Sequence, residues 1–163
     1  MSKSTEQRTH AEHEALCRRC GNSCHFAIPI NGLPIVIDDL HCRYLAPVGE
    51  GRFECTVYEE RFQLAPWCRT AAQALEEGLL SQTCLYARDV PGYRGKTRLQ
   101  PRLLAPVTPA IRAEVLRCGV PIGASKEGIL RFLARTGGGT WRLCENEAGT
   151  HWRIEAVAPS ESD

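Results

Sequence analysis

C-R-R-C-G-N-S-C, at residues 17–24, is the stretch on which the fold depends most, because it places three thiols in one short turn. A C-x-x-C turn brings two sulfur atoms close enough to bind one ion, and Gly21 allows the backbone to curl around it. Zinc takes four ligands in a tetrahedron, and a four-iron cluster also takes four thiolates. The turn therefore needs further cysteines to complete a site.

The chain supplies them, with nine cysteines against one methionine in 163 residues. The N-terminal segment lacks the apolar stretch of a secretory signal, so we expect a cytoplasmic protein whose thiols stay reduced. Clustered cysteines in that compartment bind metal or do redox chemistry more often than they form structural disulfides. The predicted metal ligands are the first seven: Cys17, Cys20, Cys24, Cys42, Cys55, Cys68 and Cys84.

Seven cysteines exceed one site, so either three are spare or there are two sites. His25 and His41 are candidate additional ligands because each is adjacent to a cysteine. The competing structural interpretation is seven buried free thiols, since cysteine is a good small core residue. We expect Cys118 and Cys144, which stand apart from the others, to be ordinary thiols.

The remaining sequence predicts a small, loop-rich α+β fold. Asn31-Gly32 predicts a hairpin across residues 25–37, and residues 52–58 favour another short strand. Residues 67–80 are typical of a helix that Pro66 opens.

Two further helices and a hairpin are predicted in the C-terminal part. Thr108 and Pro109 favour the start of the first helix, and Ser125 favours a second that runs to about residue 135. Apolar spacing places one stripe of the second helix in the core: Ile129, Leu130, Phe132 and Leu133. A hairpin follows around residues 146–149, and its packed face comprises Trp141, Leu143, Trp152 and Ile154.

These elements suggest four segments along the chain. They are a frayed N-terminal helix (1–16), a cysteine-cluster metal-binding domain (17–103), two helices with a hairpin (104–157) and a disordered tail (158–163). The metal would organise the second segment. No apolar run is long enough to span a membrane.

Several motifs together resemble the YkgJ-type cysteine-cluster family, which is described as a zinc- or iron-chelating domain, and are closest to its YcgN-like branch. They are C-R-R-C-G-N-S-C at 17–24, H-C-R-Y-L at 41–45, C-T-V-Y-E-E-R-F-Q-L-A-P-W-C at 55–68 and Q-T-C-L-Y-A at 82–87. The resemblance covers about half of the chain. The sequence departs from the family at Ser23, where the family has a cysteine. It also departs from the YcgN-like branch at Phe53, where that branch often has a cysteine.

The resemblance implies metal binding through the seven matched cysteines but no particular reaction. It also aligns Tyr58 and Arg61 with the family's Tyr-Glu-x-Arg segment, where we expect them to pack beside the ligands rather than to catalyse. The Arg61 guanidinium could offset thiolate charge or pair with Glu59 or Glu60.

The leading function is a small accessory or adaptor metalloprotein with zinc or an iron–sulfur cluster and a protein partner. The first alternative is an iron–sulfur redox protein or enzyme, although the chain has no nucleotide-binding fingerprint or nucleophile motif. The second is nucleic-acid binding through a basic loop at residues 88–102, which the near-neutral net charge of +1 disfavours. That loop carries Arg88, Arg94, Lys96, Arg98 and Arg102, with Tyr93 available for stacking.

Overall fold

Two hairpins and a three-stranded sheet supply the β-structure of residues 17–158, the part of the chain that the computed structural model describes. Every paired strand in these sheets is antiparallel. Four α-helices complete the same range. The predicted α+β fold is therefore confirmed.

The first hairpin forms where the sequence predicts it. Strand β1 (His25–Ile30) pairs with β2 (Leu33–His41), and the two prolines next to the turn are register partners. Asn31 has φ of 51° and Gly32 has φ of 79°, the two positive values that a type I′ turn requires. The sheet has only two strands, and neither proline lies in a central strand, where a missing ladder donor is tolerated least.

The second hairpin and two short helices follow it along the chain. Strand β3 (Leu45–Gly49) pairs with β4 (Arg52–Cys55), so the predicted strand at 52–58 ends three residues early. Two α-helices come next, α1 (Arg61–Leu64) and α2 (Ala71–Glu76). This region carries Cys55 at the end of β4 and Cys68 between the two helices.

The predicted helix at 67–80 is wrong at both ends, since the helix spans only Ala71–Glu76. Helix α2 begins only after Thr70, whose hydroxyl accepts a hydrogen bond from Gln73 N at 3.2 Å, while Gln73 Oε1 accepts one from Thr70 N at 3.0 Å. This reciprocal capping box fixes the start of the helix more strongly than Pro66 does. Trp67 and Cys68 consequently lie in a turn before the helix.

The C-terminal part contains two longer helices and the three-stranded sheet. Their bounds are α3 (Pro101–Cys118), β5 (Val120–Pro121), α4 (Lys126–Thr136), β6 (Trp141–Glu145) and β7 (His151–Ala156). The sheet order is β5-β7-β6, so the predicted hairpin is confirmed as β6 and β7.

Helix α3 begins eight residues before its predicted start at Pro109. Pro101 occupies the first turn, where its missing N–H costs nothing, and Pro106 and Pro109 lie inside the helix. Thr108 is therefore not a cap, and its hydroxyl instead donates to the Leu104 carbonyl at 2.9 Å. The prediction took Pro109 as the start signal, although Pro101 is the one that opens the helix.

Helix α4 begins as predicted, with Ser125 Oγ accepting a hydrogen bond from Gly128 N at 3.2 Å. One member of its predicted apolar stripe is wrong, since Leu130 is 41% exposed. The others are buried: Ile129, Phe132 and Leu133.

The main hydrophobic core lies between the first hairpin, helices α3 and α4, and the C-terminal sheet. The four predicted residues of the β6–β7 face belong to it: Trp152 is buried, and Trp141, Leu143 and Ile154 pack against it. Other buried members are Ile28, Ile35, Ile37, Leu40, Ile111, Val115, Val120, Ala124, Ile129, Phe132 and Leu133. The core thus contains residues from both the predicted cysteine-cluster segment (17–103) and the C-terminal segment (104–157).

Two predictions lie outside the described residues: the frayed helix at 1–16, and the tail apart from residue 158. Among the helices of residues 17–158, none combines the length and apolar character needed to cross a bilayer.

Candidate metal centre

The C-x-x-C segment enters the fold through a tight turn that only glycine can make. Gly21 has φ of 72°, and a Cβ at this position would lie 2.8 Å from the ring of Phe53. The chain then forms a 3₁₀ turn from Asn22 to Cys24, closed by a 2.9 Å hydrogen bond from Cys24 N to Gly21 O. Cys20 and Cys24 therefore flank one tight turn.

The open end of the first hairpin brings Cys24 to Cys42. Cys42 N donates to Cys24 O at 2.7 Å, directly beyond the His25–His41 pair that ends the ladder. Cys42 also forms an isolated bridge with Ala124, just before helix α4. Two of the predicted ligands, distant in sequence, are thus neighbours through backbone pairing.

The next two thiols reach the same region from the β3–β4 hairpin and the turn before α2. Leu45, whose N–H donates to Cys42 O at 3.0 Å, is the register partner of Cys55. The indole N–H of Trp67 contacts Cys42 Sγ at 3.4 Å, and Cys68 is the following residue.

The electrostatics indicate that these four thiols share one neighbourhood. The pKa of Cys24 is raised to about 11, first by burial and then by the thiols of Cys42, Cys68 and Cys55. Burial also raises the pKa of Cys68, to which Cys55 and Cys42 contribute. We call Cys24, Cys42, Cys55 and Cys68 the four-thiol group.

The other three predicted ligands are related to one another in the same way. Burial is the largest cause that raises the pKa of Cys84, and the thiols of Cys20 and Cys17 raise it further. Cys17 and Cys20 are exposed, whereas Cys84 is half-buried. We call Cys17, Cys20 and Cys84 the three-thiol group.

Neither group is arranged as a finished coordination shell. Across residues 17–158, no three His, Cys, Asp or Glu side chains stand in an arrangement ready to hold a metal ion. All nine cysteines are free thiols, and none is fully buried, which disfavours the interpretation of the seven as core residues. The donor chemistry fits a thiophilic ion, but the sulfur atoms would have to move together to reach metal–sulfur distances of about 2.3 Å.

The two candidate histidines form a pair of their own. Their ring centroids are 5.9 Å apart, and each Nδ1–H donates to a backbone carbonyl: His25 to Gly21 at 2.8 Å and His41 to Cys42 at 2.9 Å. Burial lowers the pKa of His25, which favours its neutral form. A histidine ligand commonly donates one ring N–H to a carbonyl in this way and binds the ion through its other nitrogen, so both histidines stay candidate ligands.

Arg61 and Tyr58 lie beside the four-thiol group. The Arg61 guanidinium is 3.9 Å from the centroid of the Tyr58 ring and 4.4 Å from that of Phe62. Its charge lowers the pKa of Cys68, against the larger effect of burial. Arg61 is thus placed to favour a thiolate at Cys68, as its expected charge-offsetting role requires.

Two residues of the predicted basic loop contact other segments of the chain. The Lys96 ammonium is buried against the carbonyl oxygens of Asn22, Ser23 and His25. Arg98 stays exposed, donates to Asn22 Oδ1 at 2.7 Å and forms an ion pair with Asp38. Burial lowers the pKa of Lys96 to about 8, and Cys24 opposes this shift. Sequence reasoning assigned Lys96 to a solvent-exposed loop, because nothing in the local pattern distinguishes a buried lysine there.

Comparison of the chain with known protein families, curated proteins and solved structures gives no match. The resemblance to the YkgJ-type family therefore stays a prediction that rests on the motifs at residues 17–87.

Proposed function

We propose that this chain is a cysteine-cluster metalloprotein whose four-thiol group binds one zinc ion or one iron–sulfur cluster. The proposal depends on backbone and side-chain contacts that bring Cys24, Cys42, Cys55 and Cys68 together from four separate segments of the chain. Cys42 N donates to Cys24 O at 2.7 Å, Leu45 pairs with Cys55 and donates to Cys42 O, and Trp67, next to Cys68, contacts Cys42 Sγ at 3.4 Å. Four thiolates complete the tetrahedral shell of zinc and equally the ligand set of a four-iron cluster.

The three-thiol group forms a second site in this proposal. It is more exposed than the first, since Cys17 and Cys20 are open to solvent. Three thiols leave one position of a tetrahedral ion for water or another ligand, so this site is expected to bind and release its ion more readily. The seven sulfurs are thus divided four and three.

The cellular role that fits best is that of an accessory or adaptor protein in the cytoplasm, where thiols remain reduced and able to bind metal. The nucleic-acid alternative loses support because Lys96 is buried and the charge of the exposed Arg98 is already paired with Asp38. A protein partner remains part of the proposal, without an assigned surface.

The first test is purification without oxygen, followed by measurement of zinc, iron and acid-labile sulfide. Colourless protein with one or two zinc ions per chain supports a zinc site, whereas brown protein with iron and sulfide supports a cluster. Metal-free protein that keeps its fold in chelator would refute the proposal.

Matched Cys→Ser variants then test the division of the thiols. Cys55→Ser is expected to abolish the tighter of two binding events and to destabilise the fold, because the binding energy of a structural zinc is about 10–16 kcal/mol. Cys20→Ser should lower the metal content by removing only the weaker event. Cys118→Ser and Cys144→Ser are the controls and should retain full metal content. If Cys55→Ser and Cys20→Ser removed the same event, the two groups would be one site.

A further inference from the structure

The segment around Lys96 joins the scaffolds of the two thiol groups. Its backbone pairs with the loop that carries Cys84, through hydrogen bonds of 2.9 Å from Lys96 N to Leu80 O and from Gln82 N to Lys96 O. The next residue, Thr97, pairs with strand β2, donating to Pro34 O at 2.8 Å. Lys96 is therefore fixed in place by backbone contacts on both sides.

The side chain of Lys96 crosses from this segment to the turn between Cys20 and Cys24. Its Nζ lies 3.3 Å from Asn22 O, 3.1 Å from Ser23 O and 2.6 Å from His25 O. An ammonium has three donors, so these carbonyls occupy all of them. The contacts hold the backbone on both sides of Cys24.

The charge of this ammonium has no carboxylate partner within residues 17–158. Lys96 is only 6% exposed, and the atoms that its ammonium contacts are neutral backbone carbonyl oxygens. A buried ammonium without a counter-ion is costly, which indicates that an anion belongs beside it. Four thiolates around a divalent cation carry a net negative charge, and that charge would sit beside Lys96.

We propose that Lys96 is a positioning residue for the four-thiol group, which fixes the turn that presents Cys24 and offsets the negative charge of the metal-bound thiolates. This inference rests on the proposed metal binding. It assigns a role to a residue that contributes no ligand atom.

The test compares Lys96→Gln, which keeps hydrogen-bond donors but removes the charge, with Lys96→Arg, which keeps both. Arg94→Gln is the matched control, because it removes a charge from an exposed position of the same loop. Zinc affinity is measured by competition with a chromophoric chelator. We expect Lys96→Gln to weaken binding about tenfold to a hundredfold, since hydrogen bonds to charged groups contribute more than neutral ones. The zinc affinities of Lys96→Arg and Arg94→Gln should stay within about threefold of the wild-type affinity. This change is smaller than the roughly tenfold loss expected when the charged hydrogen bonds of Lys96 are removed.

A second readout separates positioning from general stability. With cobalt in place of zinc, the thiolate-to-metal charge-transfer band reports how many thiolates bind. It should weaken in Lys96→Gln but not in Lys96→Arg. If Lys96→Gln does not fold, the zinc affinity of Lys96→Arg tests the inference instead. A folded Lys96→Arg protein that binds zinc weakly would overturn the inference, and one that binds zinc as the wild type does would support it. A folded Lys96→Gln protein with wild-type affinity and spectrum would also overturn it, while a wild-type protein that binds no metal would refute the proposed function itself.

Discussion

Substitution of Gly128 by alanine tests how closely helix α4 lies against strand β2. Gly128 is in the first turn of α4, and a Cβ there would lie 2.1 Å from the carbonyl oxygen of Asp39. A backbone oxygen cannot rotate out of the way as a side chain can. The helix would therefore have to move away from the strand.

Two opposing contributions determine how much Gly128→Ala changes the free energy of unfolding. Alanine favours the helix over glycine by about 0.5–1 kcal/mol, whereas overpacking a well-filled contact costs about 1–3 kcal/mol. Because the clash is with backbone, we expect the second term to dominate and the free energy of unfolding to fall by about 1–2 kcal/mol. For a chain of this size, that corresponds to a melting temperature lower by roughly 2–8 °C.

The assay is thermal and guanidinium unfolding of the protein as purified, at matched metal content, followed by far-ultraviolet circular dichroism. Gly138→Ala is the control, since a Cβ added at that glycine would meet nothing within 4 Å. The effect should extend to the candidate site, because Ser125 N donates to His41 O at 2.8 Å and so ties the start of α4 to the residue before Cys42. A Gly128→Ala protein as stable as the wild type, or more stable, would refute the close approach.

Two other substitutions test the packing that supports the site. Leu133→Ala removes a fully buried side chain and should lower the free energy of unfolding by about 2–5 kcal/mol. Leu130→Ala, on the exposed side of the same helix, should change the free energy of unfolding by no more than about 0.5 kcal/mol. Equal effects of the two substitutions in urea titrations would contradict the assigned buried and exposed faces of the helix. Tyr93→Phe removes a hydroxyl that accepts a hydrogen bond from Leu80 N at 3.0 Å and donates one to Leu80 O at 3.1 Å. This substitution should lower the free energy of unfolding by about 1–3 kcal/mol and speed hydrogen exchange of the Leu80 amide. An unchanged exchange rate would argue against these two hydrogen bonds.

The sequence predicts best those features that local chemistry decides. Asn31-Gly32 can hardly be anything but a tight turn, and the hairpin forms around it. The Ser125 cap marks the start of α4 for the same reason: its hydroxyl satisfies an N–H group within the same turn. Such signals depend on neighbours in sequence and need no knowledge of the rest of the fold.

Features that depend on distant segments are not visible in the sequence. The proximity of Cys24 to Cys42 follows from backbone pairing at the open end of the first hairpin, and the position of Cys84 depends on the bridge between Ser81 and Lys96. The burial of Lys96 has the same origin, because its partners lie more than 70 positions away. The predicted start of α3 is wrong because three prolines in the region offer competing start signals, and Pro101 is the one that lies in the first turn.

The indole of Trp67 gives the four-thiol group a native optical reporter. Its N–H contacts the sulfur of Cys42 at 3.4 Å, and its ring stacks on Tyr44 at a centroid distance of 6.2 Å. Fluorescence from this tryptophan should therefore respond when an ion takes up the sulfur beside it, with no attached dye. The other two tryptophans, Trp141 and Trp152, pack in the main core and would supply a steadier background against which that change is seen.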